Sequence, residues 1–315
     1  MIRADEIRLV TVLGTGAMGP GIALDFALQG FQVNLVGRSA ESLGRGQRAV
    51  EAALETVVAE GLVSAKEAGA ALARISFTTD RAGAVREAQY LVEAVAEDLG
   101  LKQKLFAELD REASPDAVLT STTSGLSPTV IAAGMGRPGR FVVTHYAQPA
   151  HLMIVVEVVP GIRTDPATVE LACEVLRRTG HLPVVCQDVP GFIWSRLQMA
   201  ILRECLALVR RGVATPHDID TVMKFGYAHR LPAMGPFEHA DLAGLDLIAV
   251  VAGNVWPDLD CAADPLAGPV GELIGQGRLG MKSGQGFYDW TARDPEEFRR
   301  ERDREIIRRR KILRG

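Results

Sequence analysis

The glycines of "VLGTGAMGPGIA" restrict this chain more than any other feature. Gly14, Gly16 and Gly19 follow an apolar run ending at Leu13 and lead into residues 17–30, which carry helical spacing. A strand that turns at once into a helix needs the backbone freedom of glycine. The same spacing lets the amides of a helix N-terminus approach a pyrophosphate closely. Gly14, Gly16, Ala17, Met18 and Gly19 are therefore the candidate cradle of a dinucleotide-binding unit.

The next residues continue that theme. Eight short apolar runs lie before Asp188: IRLVTVL, QVNLV, ISFTT, YLVEAV, AVLTS, RFVVTH, LMIVVEVV and LPVVC. Helical spacing fills 40–59, 98–113 and 166–179 between them, as in a parallel sheet wrapped by helices. Residues 51–72 predict a helix, a turn at Gly61 and a second helix, a long insertion for a simple crossover. After Asp188-Val189-Pro190-Gly191 the pattern is helical only, over 191–211, 215–225, 236–256 and 268–275. The expected organisation is a Rossmann-type α/β doubly wound domain over 1–188, an all-α domain over 189–290 and a charged helical tail over 291–315. In that tail, PEEFRRERDREIIRRRKIL, acids precede bases, which suits a helix dipole. A solvated or subunit-packing helix is expected there.

Composition removes several classes of partner. With 47% hydrophobic and 23% charged residues and a formal net charge of −4, the chain gives no electrostatic reason to bind nucleic acid or an anionic membrane. The opening MIRADEIRLV lacks the basic and apolar regions of a signal peptide, and no apolar run is long enough to span a bilayer. A cytoplasmic protein is expected. The four cysteines are widely spaced and the six histidines form no HExxH pattern, so neither a disulfide nor a bound metal is expected.

The second apolar run ends in Gly37-Arg38-Ser39, where an NAD-selective site usually carries an acid to read the ribose 2′-hydroxyl. Without that acid nothing repels a 2′-phosphate, while Arg38 offers a charge-assisted fork and Ser39 a hydroxyl. A preference for NADP(H) over NAD(H) is expected, the alternative being a surface arginine and relaxed cofactor choice.

In "LMIVVEVV", Glu157 is a carboxylate inside a stretch that otherwise reads as a fully buried strand. Burying an unanswered charge is costly. His145, twelve residues earlier and past the end of the preceding run, is the candidate partner if the two strands are neighbours. A carboxylate on one imidazole nitrogen fixes the tautomer and leaves the other nitrogen for proton exchange with an alcohol oxygen. Ser124, in the "STTSGLSP" loop after the fifth run, is placed to hydrogen-bond a substrate oxygen. Ser127, before Pro128, reads as a helix cap.

These motifs and others occur in a fixed order: GxGxMG, EA(V/I)xE from Glu93 to Glu97, Thr-Ser-small-Leu, H-x-x-x-P twelve residues ahead of VEV, PGF, MGPFE…D…GLD and GxKSGxGFYDW. Together they resemble the L-3-hydroxyacyl-CoA dehydrogenase family over nearly the whole chain. The resemblance implies that His145 is the catalytic acid/base, that Glu157 orients it and that Ser124 contacts the substrate oxygen. It also implies that Glu97 and Lys102 lie near the nicotinamide ribose, and that a helical C-terminal domain forms a homodimer.

The chain departs from that pattern in places. Gln148 replaces an Asn, and Trp194-Ser195 follows PGFI, so Ser195 stands where the family places an active-site Asn. A hydroxyl is shorter than an amide and leaves room for a different group. The helix-turn-helix insertion, basic in acyl-CoA members, carries Glu51, Glu55, Glu60 and Glu67 against Lys66 and Arg74, a poor surface for a nucleotide carrier. The stretch before GPFE and the terminal basic run resemble L-gulonate 3-dehydrogenase-like members. The expected activity is NADP(H)- or NAD(H)-dependent interconversion of 3-hydroxy and 3-oxo groups on a substrate that is not a CoA ester. A 3-hydroxyacyl-CoA dehydrogenase is the alternative, and a dinucleotide-binding protein without turnover is the remote one.

Overall fold

A computed structural model describes residues 2–292 and 294–314. The chain divides into two compact units: residues up to Arg196 together with those from Arg299 on, and Leu197–Phe298.

All eight expected strands form. They are β1 (Leu9–Leu13), β2 (Gln32–Val36), β3 (Ile75–Thr78), β4 (Tyr90–Glu93), β5 (Val118–Ser121), β6 (Phe141–Tyr146), β7 (Val155–Pro160) and β8 (Leu182–Val185). One sheet holds them in the order β3-β2-β1-β4-β5-β6-β7-β8. The helices between them are α1 (Gly19–Leu28), α2 (Ala40–Ala59), α3 (Ala65–Leu72), α4 (Arg81–Glu87), α5 (Leu99–Glu112), α6 (Pro128–Ile131) and α7 (Pro166–Arg178). Strands β4, β5 and β6 are buried at every residue, which is why they read as continuous apolar runs: helices cover both faces of the sheet.

The sheet is not wholly parallel. β7 runs antiparallel to β6, since the loop between them is too short for a crossover helix. That loop takes Leu152–Ile154, which read as part of the strand. β8, at the sheet edge, tolerates Pro183 because its outer side needs no ladder bond.

The amphipathic character of α2 is plain: Ser42, Gly46, Val50, Leu54 and Val57 are its buried residues, a stripe of helical period. Gly61, with φ of +62°, makes the turn toward α3. The insertion therefore forms as expected.

The second unit contains most of α8 (Trp194–Arg210), then α9 (Pro216–Val222), α10 (Ala228–Arg230), α11 (Pro236–Ala243), α12 (Leu245–Val255) and α13 (Pro269–Gly275). The single helix expected over 236–256 is broken at Gly244, whose φ of +93° ends one helix and begins the next. No single described helix is long and apolar enough to cross a membrane. The charged tail forms α14 (Pro295–Arg314). It does not stand apart, as its composition implied, because its residues from Arg299 on belong to the first unit.

Candidate active site

His145 lies within β6 and not past its end as expected, and antiparallel register places it directly opposite Glu157. Paired residues of neighbouring strands project to the same face, so the side chains meet. His145 Nδ1 lies 2.6 Å from Glu157 Oε2, and the two residues are only 5% and 3% exposed. The other carboxylate oxygen, Oε1, accepts from the amides of Ile193 and Trp194, each at 2.8 Å. The buried charge is thus answered on both oxygens, which is what its burial requires. A carboxylate can only accept, so Nδ1 carries the hydrogen and Nε2 is left for proton exchange.

The two amides are presented by an unusual turn. Gly191 has φ of +77°, and Phe192 follows with φ of +49°, the one non-glycine residue with positive φ among those described. Left-handed backbone at a bulky residue is costly and persists only where its surroundings impose it. Here Phe192 is buried, with its ring edge-to-face against the His145 imidazole at 5.7 Å between centroids. One residue therefore packs the imidazole and turns the chain so that the next two amides reach Glu157. The sequence reading used Pro190-Gly191-Phe192 as a domain boundary and a family motif and gave Phe192 no role.

Ser195 follows in the first turn of α8, one residue past an amide that holds Glu157. Gln148 is exposed in the loop after β6, and the Gln148–Pro149 peptide bond is cis. Ser124 is exposed at the carboxyl end of β5, on the edge of the parallel strands where such folds take ligands.

A second buried carboxylate was not recognised from sequence. Glu93 closes β4 with 0% exposure. It accepts from Lys102 Nζ at 2.6 Å, from the Val95 amide at 2.7 Å and from the Ser121 hydroxyl. Lys102 is itself 1% exposed and also lies 3.4 Å from Glu97. Glu97 in turn accepts from the Thr123 hydroxyl and, at 3.2 Å, from the Ser124 amide. Lys102 is therefore the cation between two carboxylates, and Glu97 fixes the backbone of the Ser124 loop. Glu93 could have been found: a carboxylate in the apolar run YLVEAV is the same anomaly that exposed Glu157.

The glycine loop divides its roles. A Cβ on Gly14 would stand 2.3 Å from the Ala94 carbonyl oxygen, and one on Gly19 1.9 Å from that of Gly14. Those positions need glycine for close packing at the seam between β1 and β4, where the strand order reverses. A Cβ on Gly16 would meet nothing within 4 Å, so its backbone is open to approach. With α1 starting at Gly19, these residues fit the diphosphate of a dinucleotide. Ala17 and Met18 complete the turn, Met18 at the N-cap position of α1.

At the end of β2, Gly37 is closely packed: a Cβ would be 2.8 Å from Ser42 Oγ and 2.9 Å from Leu43 Cγ. Ser39 is the N-cap of α2, its hydroxyl accepting from the Ser42 amide. That local bond, absent from the sequence reading, engages one acceptor position of the expected phosphate ligand. Arg38 is exposed. Ser127 caps α6, as expected, and also donates to Asp188.

In the α2–α3 insertion, Glu60 pairs with Arg304 of α14 at 3.2 Å, and Glu67 completes a capping box with Ser64. Glu51 also accepts from Gln47 Nε2 at 2.9 Å, so three of its four acids have partners within the chain and its charge says less about substrate than composition implied. Among the described residues, no group of three or more His, Cys, Asp or Glu side chains could hold a metal ion.

Comparison with known proteins agrees with this geometry. The model of the 3-hydroxyacyl-CoA dehydrogenase NAD-binding domain matches residues 9–189, and that of the C-terminal domain matches 191–290. The chain is 34% identical over 310 residues to 5-formyl-3-hydroxy-2-methylpyridine 4-carboxylate 5-dehydrogenase of Mesorhizobium japonicum, covering 98% of this chain and 99% of that one. It is 35% identical to 3-hydroxybutyryl-CoA dehydrogenase of Mycobacterium tuberculosis, over 91% of this chain and 100% of that one. A solved structure of an enzyme acting on the same pyridine acid, described as an NAD+-dependent dismutase, superposes with a TM-score of 0.89 at 33% identity, covering 98% and 99% of the two chains. An NAD-binding domain, a carboxylate-held imidazole and full-length relatives named as dehydrogenases converge: the chain belongs to the 3-hydroxyacyl-CoA dehydrogenase family and is an oxidoreductase with an NAD-binding domain.

Proposed function

We propose that this enzyme interconverts a hydroxyl and a carbonyl group on a small free acid, of the 3-hydroxy/3-oxo type, and not on a CoA ester. The observation that carries the chemistry is the His145–Glu157 pair, with Glu157 pinned by two backbone amides. A bound nicotinamide dinucleotide supplies or accepts the hydride. In oxidation His145 Nε2 takes the hydroxyl proton; in reduction the imidazolium returns it to the carbonyl oxygen. Glu157 stabilises the imidazolium and holds the ring in the tautomer that frees Nε2. Ser124 donates to the substrate oxygen, and Ser195 supplies a second, shorter contact beside it. Glu97, backed by buried Lys102, holds the Ser124 loop and would lie beside the nicotinamide ribose.

The preference for a free acid is supported by the whole-length match to the pyridine-carboxylate relative, which aligns over 310 residues, and by Ser195 with Trp194 in place of the family's Asn. A panel of free hydroxy and oxo acids beside acetoacetyl-CoA, followed at the nicotinamide absorbance, tests it. The highest kcat/KM is expected with a free acid, and a dominant rate with the CoA ester overturns the reading. The same relative favours a second reading, an aromatic acid bearing a formyl group, so such aldehydes belong in the panel.

NADP(H) is the preferred cofactor in this reading, because Gly37 brings no carboxylate and Arg38 is free to reach a 2′-phosphate. A tenfold advantage for NAD(H) in kcat/KM would exclude that preference. The enzyme works as a cytoplasmic homodimer. Free cysteines suit a reducing compartment, and the exposed Phe225, Phe237, Leu242 and Trp256 of the helical unit suit self-association. A monomer in sedimentation analysis would remove the dimer.

A further inference from the structure

Helix α14 lies outside both family models, which end at residue 290. The alignment with the Mesorhizobium relative, 310 residues of this 315-residue chain, is too long to omit the helix. Its charged sequence hides two buried side chains, Ile307 at 0% and Arg310 at 5% exposure. Ile307 joins the apolar cluster that contains Ile22 and Phe26 of α1, Val57 of α2, and Ala150 and Leu152. Arg310 donates from Nη1 to the carbonyl oxygen of His151 at 2.6 Å. Further along the helix, Lys311 donates to the Glu60 carbonyl oxygen, and Arg304 reaches the Glu60 carboxylate.

Ala150, His151 and Leu152 belong to the loop that joins β6 to β7, and thus His145 to Glu157. The opposite side of that loop lies against α1. A Cβ on Gly21 would stand 3.2 Å from His151 Nδ1 and 3.5 Å from Ala150 Cβ. The loop is therefore held between the helix that begins at the glycine cradle and α14. Taking a guanidinium out of water costs several kcal/mol unless hydrogen bonds compensate. A helix needing only a dry face could have used an aliphatic residue at 310; an arginine there holds a particular carbonyl.

We propose that α14 is a strap that fixes the loop between the two catalytic strands, with Arg310 as its positioning residue. The strap goes beyond the proposed reaction and does not depend on the substrate. Full-length protein with Arg310→Met and with Arg310→Lys tests it by two readouts. Amide hydrogen exchange over residues 147–154 is expected to quicken at least tenfold in Arg310→Met. The Nδ1 proton resonance of His145 is expected to broaden or shift in the same variant. Arg310→Lys should restore most of both, since an ammonium can donate to the same carbonyl. If Arg310→Met lowers Tm but leaves the exchange and the resonance as in the parent, the helix only stabilises the fold and the proposal fails. Should Arg310→Met not fold, Arg304→Ala with Lys311→Ala loosens the strap where it is tied to Glu60. Faster exchange in both α14 and residues 147–154 supports coupling, and faster exchange in α14 alone overturns it.

Discussion

Glu93 and Glu157 occupy comparable places with different partners. Each is a carboxylate buried in an apolar strand, and each accepts from backbone amide as well as side chain. Glu93 faces Lys102, an ammonium that only donates; Glu157 faces His145, an imidazole with a second nitrogen left to exchange a proton. The first arrangement is an anchor that holds the Ser124 loop through Glu97. The second can pass a proton because the imidazole, held at Nδ1, still has Nε2 to offer. A buried carboxylate is thus a structural or a chemical element according to what answers it.

Swapping the consequences is the sharpest way to break that comparison. His145→Ala should lower kcat by about 10² or more, a usual loss for a general acid–base group, with a modest loss of stability, because Glu157 Oε2 loses its partner while Oε1 keeps the amides of Ile193 and Trp194. Lys102→Met should cost more stability, about 3–5 kcal/mol, because buried Glu93 loses its cation, and should weaken activity through the Ser124 loop that Glu97 holds. Denaturant titration of both variants checks this, and a His145 variant that unfolds as readily as Lys102→Met would erase the distinction. Combining Lys102→Met with Glu93→Leu should recover about 1–4 kcal/mol of that loss, since removing both partners removes the unpaired charge. A double variant no more stable than the single one would show that Glu93 is not the buried anion described here.

The smallest effect extends the comparison to histidines that meet cations. Burial and the Arg310 guanidinium lower both His151 and His181 to about 4, with Arg302 acting on His151 as well. His181 also has Asp25 at 3.6 Å. Both rings are neutral in the folded state, whereas in the unfolded chain they titrate near the ordinary value of about 6.5. As pH falls from about 6.5 to 4 the unfolded state gains protons that the folded state refuses. Stability should therefore fall by up to about 1.4 kcal/mol per pH unit for each ring. Urea titrations across this range should show a flatter slope for His151→Gln than for the parent, and equal slopes would remove His151 from the account.

The strands were legible because burial on both faces leaves continuous apolar runs, and Glu157 because one charge interrupted such a run. The same test applied to YLVEAV would have found Glu93. Ser39 shows that one hydroxyl can serve twice: it caps α2 by accepting from the Ser42 amide and keeps its O–H to donate. The break at Gly244 was written as a glycine, but apolar spacing on both sides concealed it. The packing of α14 was least readable, because its buried surface rests on Ile307 and Arg310 in a segment that otherwise looks solvated. Phe192 carries no signal in composition or spacing; its role arises from a positive φ that only the folded turn imposes.

The central claim is that Glu157 fixes the His145 tautomer. Nitrogen-15 NMR of histidine-labelled protein at pH 7.5, in the parent and in Glu157→Gln, measures it directly. The account predicts a hydrogen-bonded proton on Nδ1 and a bare Nε2 in the parent, with the proton moving to Nε2 in the variant. A parent ring protonated on Nε2 alone, or an unchanged spectrum in Glu157→Gln, would contradict it.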